Sequence, residues 1–310
     1  MILKQLIEIY YFKINMEKIT QSYIMAFILM CASWGCKKAD PERNPNDQVI
    51  SIPDPVFEKA LAAYDSDKTI NGRVLYDDIK DVETLFISAG VQNPFGGTRD
   101  TTMSADDLTG IEYFTNLKSL TVETSKLSSL DLTQNKNLEY LDCSGYYKSE
   151  VYYRSLKELK LSASNKLKTL VCDYTWLEEL SLEGFPNLER LSFMTSEKLM
   201  NVKVNKNPNL INLTGNMLAP PMDLSHNTKL QYLSGMVKIE QQTFKGKPDL
   251  LVVGVTAPDG VEELIFCENP KIKTLSVASN TLARVTIPAG IKNENVDIKS
   301  LIEPIINRCR

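Results

Sequence analysis

The sequence predicts an α/β-type repeat solenoid with short parallel strands. Three observations carry this reading. The motif L-x-x-L-x-L recurs along the chain. Its start positions step by 10 or 11 residues, apart from one step of 18 between Leu138 and Leu156. The composition, 43% hydrophobic and 24% charged over 310 residues, leaves enough apolar side chains for a continuous core.

The motif runs through Leu117/Leu120/Val122, Leu127/Leu130/Leu132, Leu138/Leu141/Cys143, Leu156/Leu159/Leu161 and Leu167/Leu170/Cys172. It continues through Leu177/Leu180/Leu182, Leu188/Leu191/Phe193 and Leu199/Val202/Val204, then closes with Ile272/Leu275/Val277 and Leu282/Val285/Ile287. Two half-units make a period of about 21 residues, inside the range of leucine-rich repeats. Five residues separate Val122, Cys172 and Val277 from the next leucine, whereas six follow Leu132, Leu161, Leu182 and Leu224. The five-step class reads as the parallel strands of a horseshoe's concave face. The six-step class reads as a convex back, mostly extended or 3-10. Alternate residues point inward, and stacking joins them into one core. The stretches Asn216 to Met222 and Val237 to Pro248 read as worn repeats, because the register resumes at Val261/Leu264/Phe266.

The chain divides by composition into a leader and signal peptide (1–36), a tether (37–50), an N-terminal cap with a lead-in loop (51–107), repeats (108–290) and a C-terminal cap (291–310). The apolar run from Ile24 to Trp34 is too short for a membrane-spanning helix and suits a signal peptide, with Met16 as the start and Lys18 as the positive flank. Ser33-Trp34-Gly35-Cys36 resembles a lipobox. It makes Cys36 the expected lipidation site, with Cys31 as the other candidate and an ordinary cleaved signal as the alternative. The polar stretch after Cys36 reads as a tether to a membrane surface.

In the cap, Asp54 is placed to N-cap a helix beginning at Pro55, with Val56, Phe57, Ala60, Leu61 and Tyr64 on one stripe. Asp65, Asp67, Asn71 and Asp78 follow in a worn calcium-loop pattern. Two extra residues before Asn71 and the short Asp78 predict an empty loop, turned at Gly72. No metal and no cofactor is expected. Cys143 and Cys172 read as core residues on adjacent strands, where a disulfide is conceivable. Cys267 reads as core, and Cys309 as a free thiol.

The I-P-D-x-x-F opening, the worn D-S-D…N-G loop, the segment Leu108 to Leu117 and the L-x-x-L-D-C-S strand resemble internalin-like leucine-rich-repeat surface lipoproteins of Gram-negative bacteria. That resemblance implies a lipid-anchored protein of the cell envelope, at the outer membrane or cell surface, with a binding or adhesion role. It implies no catalytic activity.

Function classes narrow further from the residues. A net charge of −4 without a basic run gives no footprint for nucleic acid, and the single histidine, His226, makes multi-histidine metal sites and His-dependent chemistry unpromising. The expected role is recognition of a protein or glycan. A structural envelope spacer is the alternative, and a hydrolase a remote one. The step from Cys143 to Leu156 is thirteen residues instead of five, and the added segment carries Tyr146, Tyr147, Tyr152, Tyr153 and Arg154. The same corner of the next repeat carries Tyr174 and Trp176. These seven residues form the candidate aromatic binding edge. The strand face offers a second candidate in Glu123, Tyr140, Asp142, Asp173, Arg190 and Tyr232.

Overall fold

The structure is a computed structural model. It describes residues 48–87, 104–124, 126–148, 151–164, 166–215, 222–238, 244–301 and 303–310. The leader, both lipidation candidates and most of the tether, up to residue 47, lie outside the described residues.

The repeats form a parallel β-solenoid. One face is a ten-stranded sheet, with strands at Thr84–Ile87, Ser119–Val122, Tyr140–Asp142, Thr169–Val171, Arg190–Ser192, Asn212–Thr214, Tyr232–Lys238, Val252–Thr256, Thr274–Ala278 and Val296–Lys299. All neighbours pair in parallel, and the leucines align: Leu85, Leu120, Leu141, Leu170, Leu191, Leu213 and Leu233 stack in one inward column. Each is at most 2% exposed. The five-step half-units supply this face, as the spacing predicts.

The six-step half-units form the opposite face, and here the pattern is more regular than the predicted extended or 3-10 path. Strands Ser129–Leu132 and Glu158–Leu161 pair, as do Glu179–Ser181 and Asn201–Lys203. Glu263–Ile265, Arg284–Ile287 and Ile305–Arg308 make a third patch. Leu130, Leu180, Leu264 and Val285 enter the core from this side.

The two worn stretches do not break the solenoid. Residues 216–221 and 239–243 of these stretches lie outside the described residues, and the strands around them pair in parallel, with a register shift between Leu233 and Val237. Gly235 makes that irregularity possible. Its φ is +85°, and a Cβ there would lie 2.2 Å from the Gly215 carbonyl oxygen.

At the N-terminal end, Val49–Ser51 pairs antiparallel with Arg73–Leu75, and a helix spans Pro55–Ala60. Asp54 caps that helix as expected, accepting from the Val56 and Phe57 amides. Its second carboxylate oxygen takes the amides of Asp106 and Asp107. One side chain thus ties the cap to the start of the repeats. Burial works against its charge, but these four donors hold its carboxyl below the usual range.

The C-terminal tail stacks on the preceding coil and covers it. It adds another coil, because Val296, Ile298 and Ile306 repeat the inward spacing and pair in register with Leu275, Val277 and Val285. Cys309 is not a free thiol, nor is Cys267 a simple core residue. The two form a disulfide with a Cα–Cα distance of 5.6 Å. The register of the tail strand brings them together, a proximity that the linear spacing does not reveal. Cys143 and Cys172 are buried free thiols, donating to the carbonyls of Val171 and Ser192. Burial pushes both thiols up, so they stay protonated and inert.

Candidate functional site

The thirteen-residue step builds an antiparallel hairpin, Tyr146–Lys148 with Val151–Tyr153, that opposes Tyr146 to Tyr153 and Tyr147 to Tyr152. Tyrosine suits such a ribbon because cross-strand aromatic pairs stabilise it. The Tyr146 and Tyr153 rings stack with centroids 4.4 Å apart and planes 7° from parallel. The side chains of Tyr147 and Tyr152 lie outside the description.

Gly145 sets the neck of the hairpin. A Cβ there would lie 2.2 Å from the Tyr153 carbonyl oxygen and 2.4 Å from that of Tyr174. The Gly145 amide donates to the Asp173 carbonyl at 2.9 Å, so the hairpin is held against the next coil. Tyr174 sits there with φ +55°, and its amide donates to Met194.

Arg154 and Trp176 pair with each other. The guanidinium carbon is 5.0 Å from the indole centroid, and Lys198 Nζ is 4.7 Å from it. Arg154 also binds the Glu197 carboxylate, with Nη1 3.2 Å and Nη2 3.3 Å from its oxygens. Its side chain is only 5% exposed. Arg154 therefore fixes the base of the hairpin and does not reach solvent, whereas Tyr153 is well exposed.

The second candidate set lies beside the first. Tyr140, Arg190 and Tyr232 stand in one outward row of the ten-stranded sheet, separated by Thr169 and Asn212. All three are exposed. Asp142 ends its strand, and Asp173 lies two residues past the end of the adjacent one, beside Ser144. Asp142 accepts from the Ser144 amide and hydroxyl, and the Asp173 amide donates to the Ser144 hydroxyl. Asp173 Oδ1 takes the Ser192 hydroxyl at 2.7 Å and the Met194 amide at 2.6 Å. Burial pushes the Asp173 carboxyl up despite these donors, and the charge of Asp142 adds to the shift. Burial also raises the Tyr146 hydroxyl, and next in size is the negative charge of Glu123. The acidic part of the strand-face set, Glu123, Asp142 and Asp173, thus meets the hairpin around Gly145 as a rim, whereas Tyr140, Arg190 and Tyr232 spread across five successive strands.

The calcium-like loop uses its carboxylates internally. Asp67 accepts from the Thr69 amide and hydroxyl and from the Asn71 side chain, while Asp78 takes the Ser66 amide. The buried Glu58 carboxylate takes the amides of Asn71, Gly72 and Arg73. Among the described residues no group of three or more acidic, histidine or cysteine side chains is placed to hold a metal ion.

Two sets of polar residues escape the sequence reading. Asn135, Asn207, Asn227 and Asn269 are buried at one corner, each donating through Nδ2 to two carbonyls of the coil before it. Each precedes the next apolar anchor by three residues, a signal present in the sequence as Asn135/Leu138, Asn207/Leu210, Asn227/Leu230 and Asn269/Ile272. At the other corner the buried hydroxyls of Thr124, Thr175 and Ser196 serve the carbonyls of Cys143 and Cys172.

No family model matches the chain, and comparison with curated proteins gives no match. Solved structures of similar architecture include internalin C2 from Listeria monocytogenes, 16% identical, with 86% of this chain and 100% of that one covered at a TM-score of 0.45. A second internalin from the same organism is 13% identical, with 84% and 91% covered and a TM-score of 0.32. A leucine-rich-repeat protein of Leptospira interrogans is 18% identical over 57% of this chain and 58% of its own, with a TM-score of 0.32. These neighbours are leucine-rich-repeat proteins. The fold assigned to this chain rests on its own strand pairing.

Proposed function

We propose that this chain is a non-catalytic recognition scaffold of the bacterial cell envelope, lipid-anchored through Cys36, that binds a protein partner through the hairpin edge and the acidic rim beside it. The observation that carries the reading is the adjacency of the stacked Tyr146–Tyr153 pair to Glu123, Asp142 and Asp173. Exposed aromatics supply large apolar area at low ordering cost, and a neighbouring acidic rim selects Lys- or Arg-bearing surfaces. A glycan partner would use the same rings by stacking. Tyr153, Tyr146 and the rim are the ligand-facing groups in this reading. Arg154 and Trp176 are positioning residues.

The test is binding to arrays of envelope and host proteins and of glycans, first with the wild-type chain and then with variants. Tyr153→Ala should weaken any saturable partner by more than about 1 kcal/mol, the usual hot-spot threshold. Thr121→Ala on the strand face should leave binding unchanged. A partner lost on Thr121→Ala or Arg190→Ala, but indifferent to Tyr153→Ala, would move the site away from the hairpin. Detergent partitioning of the wild type that is lost in Cys36→Ser, but kept in Cys31→Ser, tests the anchor.

A further inference from the structure

The last coil is built like an inner one, yet no described strand covers it. Ile306 pairs in register with Val285, which pairs with Leu264. Val285 and Leu264 are 0% exposed, whereas Ile306 is 50% exposed. Leu301 and Ile305 add 83% and 62% exposure at the same end. On the other face, Val296 and Ile298 continue the inward column of Leu275 and Val277 but are only partly buried. Among the described residues, Val296–Lys299 and Ile305–Arg308 are both edge strands with one side unpaired.

This end is held in shape. The Cys267–Cys309 disulfide pins the tail. The Arg308 guanidinium donates to the carbonyls of Pro288, Ala289 and Ile291. Those carbonyls lie at the corner where asparagines of a following coil serve earlier turns. A rigid edge with apolar inward positions is a ready template for another strand.

The charges select the occupant. The edge strand reads Val296-Asp297-Ile298-Lys299, and Asp297 and Lys299 both point outward, with their charged atoms 3.5 Å apart. Antiparallel pairing of this strand with itself, centred on Ile298, sets Asp297 against the copy's Lys299 and Lys299 against the copy's Asp297. Opposite charges directly across a strand pair stabilise it, and like charges oppose it. A two-fold axis through Ile298, normal to the sheet, makes such an interface isologous. We infer that the C-terminal end of the solenoid is a self-association surface, at which a second copy of this chain adds its terminal strand antiparallel to Val296–Lys299 and covers Ile298 and Ile306.

Sedimentation velocity of the full chain under oxidising conditions, from about 1 to 100 micromolar, tests the inference. The wild type should pass from monomer to dimer with concentration. Asp297→Lys places lysines opposite lysines and should weaken the dimer by about tenfold or more. The charge-swapped double variant, Asp297→Lys with Lys299→Asp, restores complementarity and should recover dimerisation. All three proteins should melt at the same temperature when dilute, because both side chains are exposed on the monomer. A wild type that stays monomeric throughout, or a double variant no better than the single one, would overturn the inference.

Discussion

The two corners of the solenoid behave differently. At the asparagine corner the step between anchors is six residues after Leu132, Leu161, Leu182, Val204, Leu224, Phe244 and Phe266. At the hydroxyl corner it ranges from five after Val122 to thirteen after Cys143. The hydrogen bonds explain the contrast. At the first corner each buried amide must reach two carbonyls of the preceding coil, as Asn207 reaches Leu182 and Phe185. An added residue would swing that amide away and cost both carbonyls their bond to the next coil. At the second corner the carbonyl of Cys143 is satisfied by Thr124 from the coil before, and the bonds to neighbouring coils that follow are made at once, by Ser144 and Gly145, so the chain can leave the coil after that neck. The hairpin is inserted there. Length variation is admitted where the polar partner comes from elsewhere.

The largest expected effect tests the rigid corner. Asn207→Ala removes one of two donors from each of the Leu182 and Phe185 carbonyls, which keep their turn bonds to the Phe185 and Leu188 amides, and should destabilise the fold by roughly 1–3 kcal/mol in urea unfolding. A loss under about 0.5 kcal/mol would show that the ladder is ornamental.

Lys247 sharpens the same contrast. It fills the asparagine slot of its coil at 0% exposure, and its Nζ donates to the Lys245 carbonyl at 3.3 Å. Burial pushes its amine below the usual lysine range. Lys247→Asn restores the ladder residue and removes a buried amine, and should raise stability by about 1 kcal/mol. The sign of the pH effect follows from linkage. Between the lowered folded pKa and the ordinary lysine value, the unfolded chain binds more protons than the native one, so wild-type stability rises with pH across that window. The asparagine variant should lack this rise, a difference that melting curves at successive pH values would reveal.

The smallest effect belongs to the permissive corner. Deleting Tyr146 to Tyr153 returns the step after Cys143 to five residues. It should change unfolding free energy by no more than about 1 kcal/mol, while abolishing any binding that depends on the hairpin. A collapse of the fold would mean that the hairpin props up the solenoid.

Much of this architecture is legible in the sequence because the repeat is short and its anchors are leucines. The inward columns, the Asp54 cap and the inserted tyrosines all follow from spacing. The asparagine ladder is legible in principle but hidden by chemistry, since an asparagine in a turn also reads as surface punctuation. The acidic rim meets the hairpin only because Gly145 lets two backbones touch, and no linear spacing encodes that contact. The cystine is illegible for a related reason. Its two residues meet only after the tail has stacked as another coil.

That cystine has a mechanical consequence. Tension applied between residue 48 and residue 310 would peel a solenoid coil by coil, since each coil holds only its neighbours. The bond closes a loop with a sequence separation of 42 residues. A load bypasses that loop through the sulfur bridge, so about 140 Å of contour stays stored however hard the ends are pulled. Under reduction this reserve is released, and single-molecule extension would lengthen by that amount. The end of the molecule that carries the exposed isoleucines is therefore also the end least able to unravel.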